Sequence, residues 1–216
     1  MSEDLRKKLK DAVIDGEPDN ANDAIQELLN TGVSPSDIIN DMCEAMDLVG
    51  KKFENQEYYI PDLIMSGEAM KGGMEILQPL MKAEKAEFVG SVVIGVVEGD
   101  VHDIGKNLVA NMLRGAGFEV HDLGIDNTAE KFVKQAKEVK ADIVAASAYT
   151  STSMPHLRDI LTELRVSGVK DEVWYMIGGA PTTEDWAMSI GADGWAGDAV
   201  EAAKVASQLV KKKRGS

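Results

Sequence analysis

The chain of 216 residues carries 37 acidic and 23 basic side chains, for a formal net charge of −14. Such a balance argues against binding to nucleic acid or to an anionic membrane, since both select basic surface. Hydrophobic residues make up 44 % of the chain, enough for a packed core and too many for a disordered polymer. The length accommodates one large domain or two small ones. The single cysteine, Cys43, leaves no partner for an internal disulfide and fits a reducing compartment. The opening MSEDLRKKLK is charged, and no run approaches the roughly 18 apolar residues of a membrane span. A cytoplasmic protein is expected.

Residues 1–87 read as helical throughout and are expected to form a four-helix bundle. Apolar side chains recur at helical spacing in Ala24, Ile25, Leu28 and Leu29, and again in Ile38, Ile39, Met42, Met46 and Val49. Thr31-Gly32 interrupts the pattern, and Ser34-Pro35-Ser36-Asp37 has the composition of an N-cap opening a new helix. Tyr58-Tyr59-Ile60-Pro61 breaks it again, with Pro61 suited to a helix start. The charged stretch 82–87 reads as a linker or as the end of the last helix.

Residues 88–216 change character and alternate strands with helices. Strands are expected over 89–97, 118–123, 143–147, 173–177 and 194–196. This rhythm implies a parallel sheet covered by helices on both faces. Five strands in this length suit a flavodoxin-like, Rossmann-like arrangement in the order 2-1-3-4-5. The class expected is therefore α plus α/β.

Chemistry concentrates in Gly99-Asp100-Val101-His102-Asp103-Ile104-Gly105-Lys106-Asn107, between the first strand and the helix that begins near Leu108. In an open α/β sheet, ligands bind at the carboxyl ends of the strands, where this turn lies. Asp100 and His102 stand two apart, so the carboxylate can hold one imidazole nitrogen and leave the other to a metal. One histidine cannot make a protein-only zinc site, which needs about four ligands. A lone histidine with its own carboxylate therefore suggests a metal whose other ligands belong to a cofactor.

Further segments converge on the same sheet edge. The third strand ends in the hydroxyl-rich Ser147-Ala148-Tyr149-Thr150-Ser151-Thr152-Ser153, and the fourth in Gly178-Gly179-Ala180-Pro181. Paired glycines let a ligand approach the backbone closely. The fifth leads into Ala192-Asp193-Gly194-Trp195-Ala196-Gly197-Asp198. Together these small residues describe a long slot suited to a buried cofactor tail.

Asp100-Val101-His102-Asp103-Ile104-Gly105, Ser147-Ala148-Tyr149 and Gly178-Gly179 resemble the Asp-x-His-x-x-Gly, Ser-x-Leu and Gly-Gly pattern of cobalamin-binding domains. The fuller wording is similar to the corrinoid domain of methionine synthase and to small methyl-carrying corrinoid proteins, which also bear an N-terminal helical cap. The resemblance implies cobalamin or a related corrinoid, with His102 as the lower axial cobalt ligand. Asp100 would hold His102, and Ser153 would continue that relay. Gly105 would leave room for the displaced nucleotide tail. Ser147, Ser151, Gly178, Gly179 and Ala180 would line its pocket, while Gly99, Val101, Asp103 and Ile104 complete the turn. Tyr149 departs from the pattern's leucine and is expected to pack along the tail. Phe53, Ile60 and Leu63 match apolar residues that sit over the upper cobalt face.

By the same resemblance the chain is a shuttle, not a complete catalyst. A substrate:corrinoid methyltransferase would load a methyl group onto Co(I). A corrinoid:acceptor methyltransferase would pass it from methyl-Co(III) to a folate, pterin or thiol, and a reductive activase would rescue oxidised cobalt. Other classes fit less well. A cobalamin-dependent sensor normally carries an output domain, and no basic DNA-reading helix is evident. The small subunit of a radical mutase typically lacks the helical cap, and an FMN protein would place a hydroxyl-rich phosphate loop in the first turn. His121 and His156 read as solvent-facing or capping, and Cys43 as a small buried residue.

Overall fold

The computed structural model describes residues 2–84 and 88–214. They divide into two compact units, one of residues 1–88 with 114–117, the other of residues 89–113 with 118–216.

The first unit holds α1 (Ser2–Ile14), α2 (Pro18–Asn30), α3 (Pro35–Glu54) and α4 (Ile60–Glu84). Helix α1 packs on α2 and α3, and α4 packs on the same two. Each start has a chemical reason. Pro18 and Pro35 occupy first-turn positions, where a missing N–H costs nothing. The Ser34 hydroxyl accepts the Asp37 N–H at 3.1 Å, so the expected N-cap forms. Ile25, Leu28, Ile38, Met42, Met46, Met70 and Leu77 are fully buried. Gly73 lets the helices close, because a Cβ there would lie 2.3 Å from Met42 Cε and 2.8 Å from Ile25 Cδ1. The buried Asp41 carboxylate is paired with Arg6 at 3.4 Å and Lys10 at 3.3 Å, both from α1. Helix α4 runs through Glu84, so the stretch read as linker or helix end continues the helix that far; residues 85–87 lie outside those described.

In the second unit the elements are β1 (Ser91–Val96), α5 (Ile104–Gly115), β2 (Glu119–Asp122), α6 (Ala129–Val139), β3 (Ile143–Ser147), α7 (His156–Val166), β4 (Trp174–Gly178), α8 (Glu184–Ile190), β5 (Gly194–Ala196) and α9 (Ala199–Arg214). All pairings are parallel and the strand order is β2-β1-β3-β4-β5, as the alternation implies. Strand β1 is shorter than its apolar run. Val97 lies beyond the strand, with an isolated bridge to Asn127 and an N–H that donates to the Ser147 carbonyl at 3.0 Å, as the chain leaves for the turn that follows. Val93, Val144, Phe132, Leu157, Leu161, Tyr175 and Ile177 build the core on one face of the sheet. Tyr175 is fully buried and its hydroxyl donates to the Leu157 carbonyl at 2.7 Å; burial pushes the phenol well above its ordinary pKa. Among the described residues no helix is long and apolar enough to cross a membrane.

Removing the α3 cap by Ser34→Ala is expected to lower stability by about 1 kcal/mol, read from the urea midpoint of the helical signal.

Candidate cofactor site

Three ladders align the carboxyl ends of four strands. Val96 stands beside Ser147, Ser147 beside Gly178, and Gly178 beside Ala196. From Ser147 onward this row carries only small side chains and forms an open floor. Immediately after Val97 the chain turns through Gly99, whose φ of 73° is in the left-handed region that glycine accepts without strain.

Asp100, 2 % exposed, is the centre of the turn. Its Oδ1 accepts the His102 backbone N–H at 3.0 Å and lies 2.7 Å from His102 Nδ1. Its Oδ2 accepts the Ser153 hydroxyl at 2.5 Å and the Tyr149 N–H at 2.7 Å. Four donors meet the roughly four lone-pair directions of one carboxylate. Burial raises the pKa of Asp100, but the bonds from Ser153, Tyr149 and His102 outweigh it and hold the group below the usual carboxylate range. An ionised carboxylate only accepts, so the imidazole proton sits on Nδ1. The Nε2 lone pair of the half-exposed His102 is then left for a metal.

Several groups that brace this turn were not foreseen in the sequence. Asp126, with φ of 54°, accepts the Gly99 N–H on Oδ1 at 2.8 Å and donates its own N–H to the Asp100 carbonyl at 3.1 Å. Asn127 donates to the carbonyls of Val96 at 2.9 Å and Gly124 at 3.0 Å. The only local signal was an Asp-Asn pair after a strand, residue types that tolerate left-handed backbone. Thr150 Oγ1 lies 2.9 Å from Ser153 Oγ and also accepts the Ser153 N–H at 3.1 Å. Lys106, buried at the start of α5, pairs with Asp122 at 2.5 Å and ties that helix to the end of β2.

The expected site residues divide clearly. Gly99 through Gly105 form one continuous turn, and hydrogen bonds to Asp100 bring in Tyr149 and Ser153. Val101 and Ile104 expose apolar side chains on either side of His102 in the sequence. Asp103 serves the helix, its carbonyl accepting the Asn107 N–H at 2.8 Å. A Cβ on Gly105 would meet nothing within 4 Å, so open space lies at the start of α5. The half-buried Ser147 hydroxyl makes no hydrogen bond among the described residues, and the exposed Ser151 makes none either. Ala180 is exposed beside Gly179. Gly179 has a reason the sequence did not show: with φ of 113°, its Cβ would lie 1.9 Å from the Ala148 carbonyl oxygen. The close approach there is by the chain's own backbone.

Phe53, Ile60 and Leu63 belong to the helical unit, where Ile60 is exposed, Phe53 half-buried and Leu63 buried. His121 is not solvent-facing. It is half-buried 3.6 Å from Glu119. His156 meets the expectation, its Nδ1 lying 3.0 Å from Asp159 in the first turn of α7. Burial pushes the Cys43 thiol up to about 12, which makes it unreactive at neutral pH.

No group of three or more histidine, cysteine or acidic side chains able to hold a metal occurs among the described residues. A metal at His102 must bring its other ligands. Open space at Gly105, the unpartnered Ser147 hydroxyl and the small-residue floor fit a corrinoid with an extended nucleotide tail.

The chain is similar to known proteins. A B12 binding domain family matches residues 90–204, and a second family of the same description matches residues 5–78. The chain is 43 % identical over 194 residues to trimethylamine corrinoid protein 1 of Methanosarcina acetivorans, covering 88 % of this chain and 90 % of that protein. It is 42 % identical over 210 residues to dimethylamine corrinoid protein 1 of the same organism, covering 96 % and 98 %. The methanol:cobalamin methyltransferase complex of Methanosarcina barkeri aligns with a TM-score of 0.85 at 28 % identity, covering 96 % of this chain and 80 % of that one. The monomethylamine corrinoid protein of M. barkeri aligns at 0.55 and 38 % identity, covering 97 % and 100 %.

The depressed Asp100 pKa sets a pH dependence. Stability from the ionised form is complete above the unfolded value near 3.9 and is lost as pH falls through the lower folded value. Asp100→Asn is expected to cost roughly 2 kcal/mol at neutral pH and to flatten the acid limb of the stability curve, checked by urea unfolding between neutral pH and pH 3.

Proposed function

Because the chain belongs to the B12-binding family of corrinoid proteins, we propose that it is the methyl-carrying subunit of a multicomponent methyltransferase system. Its cofactor is cobalamin or a related corrinoid. When bound, that cofactor supplies a cobalt centre that alternates between Co(I) and Co(III) and carries a methyl group. The observation that carries the reading is the half-exposed His102 imidazole, fixed through Nδ1 by the saturated Asp100, which leaves Nε2 without a protein partner among the described residues.

The chain's own residues bind, orient and shield. His102 would ligate the cobalt when the cofactor is bound, Asp100 sets its tautomer and direction, and Ser153 with Thr150 holds Asp100 in turn. Gly105, Ser147, Ser151, Gly178, Gly179 and Ala180 accommodate the nucleotide tail. By their match to the family's pattern, Phe53, Ile60 and Leu63 of the helical unit are assigned as the residues that would keep water and stray nucleophiles from the methyl group. The names of the curated relatives favour a methylated amine as donor. The partners are then a substrate:corrinoid methyltransferase, a corrinoid:acceptor methyltransferase and a reductive activase. Acidic charge and a single cysteine suit the cytoplasm. The match of residues 5–78 to a B12 binding domain family disfavours a radical-mutase subunit, which typically lacks such a helical segment.

The test begins with hydroxocobalamin, removal of excess cofactor and a UV–visible spectrum. Stoichiometric retention with a histidine-ligated spectrum is expected, and His102→Ala should lose that ligation while keeping the fold. Failure of the wild-type protein to retain cobalamin would falsify the reading. The reduced holoprotein is then offered mono-, di- and trimethylamine, each with its methyltransferase; methylation with one amine identifies the donor. Phe53→Ala is expected to bind cobalamin normally but to lose the methyl group faster in water, followed by the decay of its absorption.

A further inference from the structure

Tyr149 touches the Asp100–His102 pair twice. Its backbone N–H donates to Asp100 Oδ2 at 2.7 Å, and its ring stacks on the His102 imidazole with centroids 4.4 Å apart and planes 24° from parallel. The phenol hydroxyl makes no hydrogen bond among the described residues, and the side chain is 56 % exposed. Neither a polar anchor nor deep burial accounts for the ring's position. Its contact with the imidazole does.

The stack supplies what the carboxylate cannot. Asp100 Oδ1 tethers Nδ1, and the backbone tethers Cβ. Two fixed points leave an imidazole free to rock about the line joining them, and that rocking swings Nε2 away from any one direction. A flat ring against the imidazole face opposes it. The branched leucine usual at this position has no such flat face.

We propose that Tyr149 is a positioning residue that fixes the plane of the His102 ring, and with it the direction of Nε2. This inference rests on the reading of His102 as the lower cobalt ligand. Stacking needs the ring and not the hydroxyl, so phenylalanine should replace tyrosine and leucine should not.

Two measurements separate this proposal from the reading beneath it. In the cofactor-free protein, NMR of the His102 ring protons should show an upfield ring-current shift. That shift should persist in Tyr149→Phe and disappear in both Tyr149→Leu and Tyr149→Ala. In protein carrying 15N-labelled histidine, loaded with hydroxocobalamin and reduced to Co(II), a doublet axial-nitrogen splitting in the EPR spectrum, distinct from the triplet given by the cofactor's own base, reports how much cobalt is histidine-ligated. Tyr149→Phe should match wild type, while Tyr149→Leu should lower the ligated-to-unligated ratio roughly fivefold, the factor expected for one aromatic stack. The leucine variant keeps apolar bulk, so it answers the question even if the alanine variant does not fold. Absence of the upfield shift in wild type would remove the stack itself. Loss of the shift in Tyr149→Leu with an unchanged EPR spectrum would overturn the positioning role and leave the cofactor reading intact. Wild-type protein that retains cobalamin without the labelled-histidine doublet would overturn both.

Discussion

One carboxylate organises the functional end of this protein. Asp100 spends one oxygen on its own turn, holding the His102 amide and imidazole, and the other on the segment after β3, holding the Tyr149 amide and the Ser153 hydroxyl. Because β1 and β3 are neighbours in the sheet, the two segments begin side by side and the carboxylate can bridge them. The arrangement is self-consistent electrostatically. Four donors stabilise the charge, and the charge places the proton on Nδ1, so a single buried group decides the chemistry of an exposed one. Removing the carboxylate would leave the buried Ser153 hydroxyl without its acceptor on Asp100.

Around that centre the sheet supplies space and the loops supply rigidity. The register that aligns Ser147, Gly178 and Ala196 keeps the floor beside the turn free of bulky side chains. Asp126 and Asn127 fasten the turn from the β2 side, and Lys106 anchors α5 through Asp122. A histidine that must present one nitrogen to a metal needs such bracing, since a ligand's direction is only as fixed as the groups behind it.

Much of this was legible along the chain. The Ser34 cap and the pairing of Asp100 with His102 depend on residues within a few positions of one another. The strand order follows from parallel crossovers that tolerate few topologies. His121 was misread because nothing in its neighbours reveals that its side of β2 is covered. Gly179 was singled out for the close approach of a ligand, whereas the backbone that crowds it is that of Ala148, just after β3.

By itself, then, the sequence determined the two-part architecture, the sheet order and the pairing of His102 with its carboxylate, because each rests on periodicity or on spacing of a few residues. Only the tertiary structure decided that the Tyr149 amide, 49 residues away, shares Asp100, that Asp126 clasps Gly99 across 27, and that the Tyr149 ring lies on His102. Those contacts depend on the register and twist of strands distant in the chain. A hydrogen bond or a ring stack is decided within a few tenths of an ångström, a precision that local pattern does not carry.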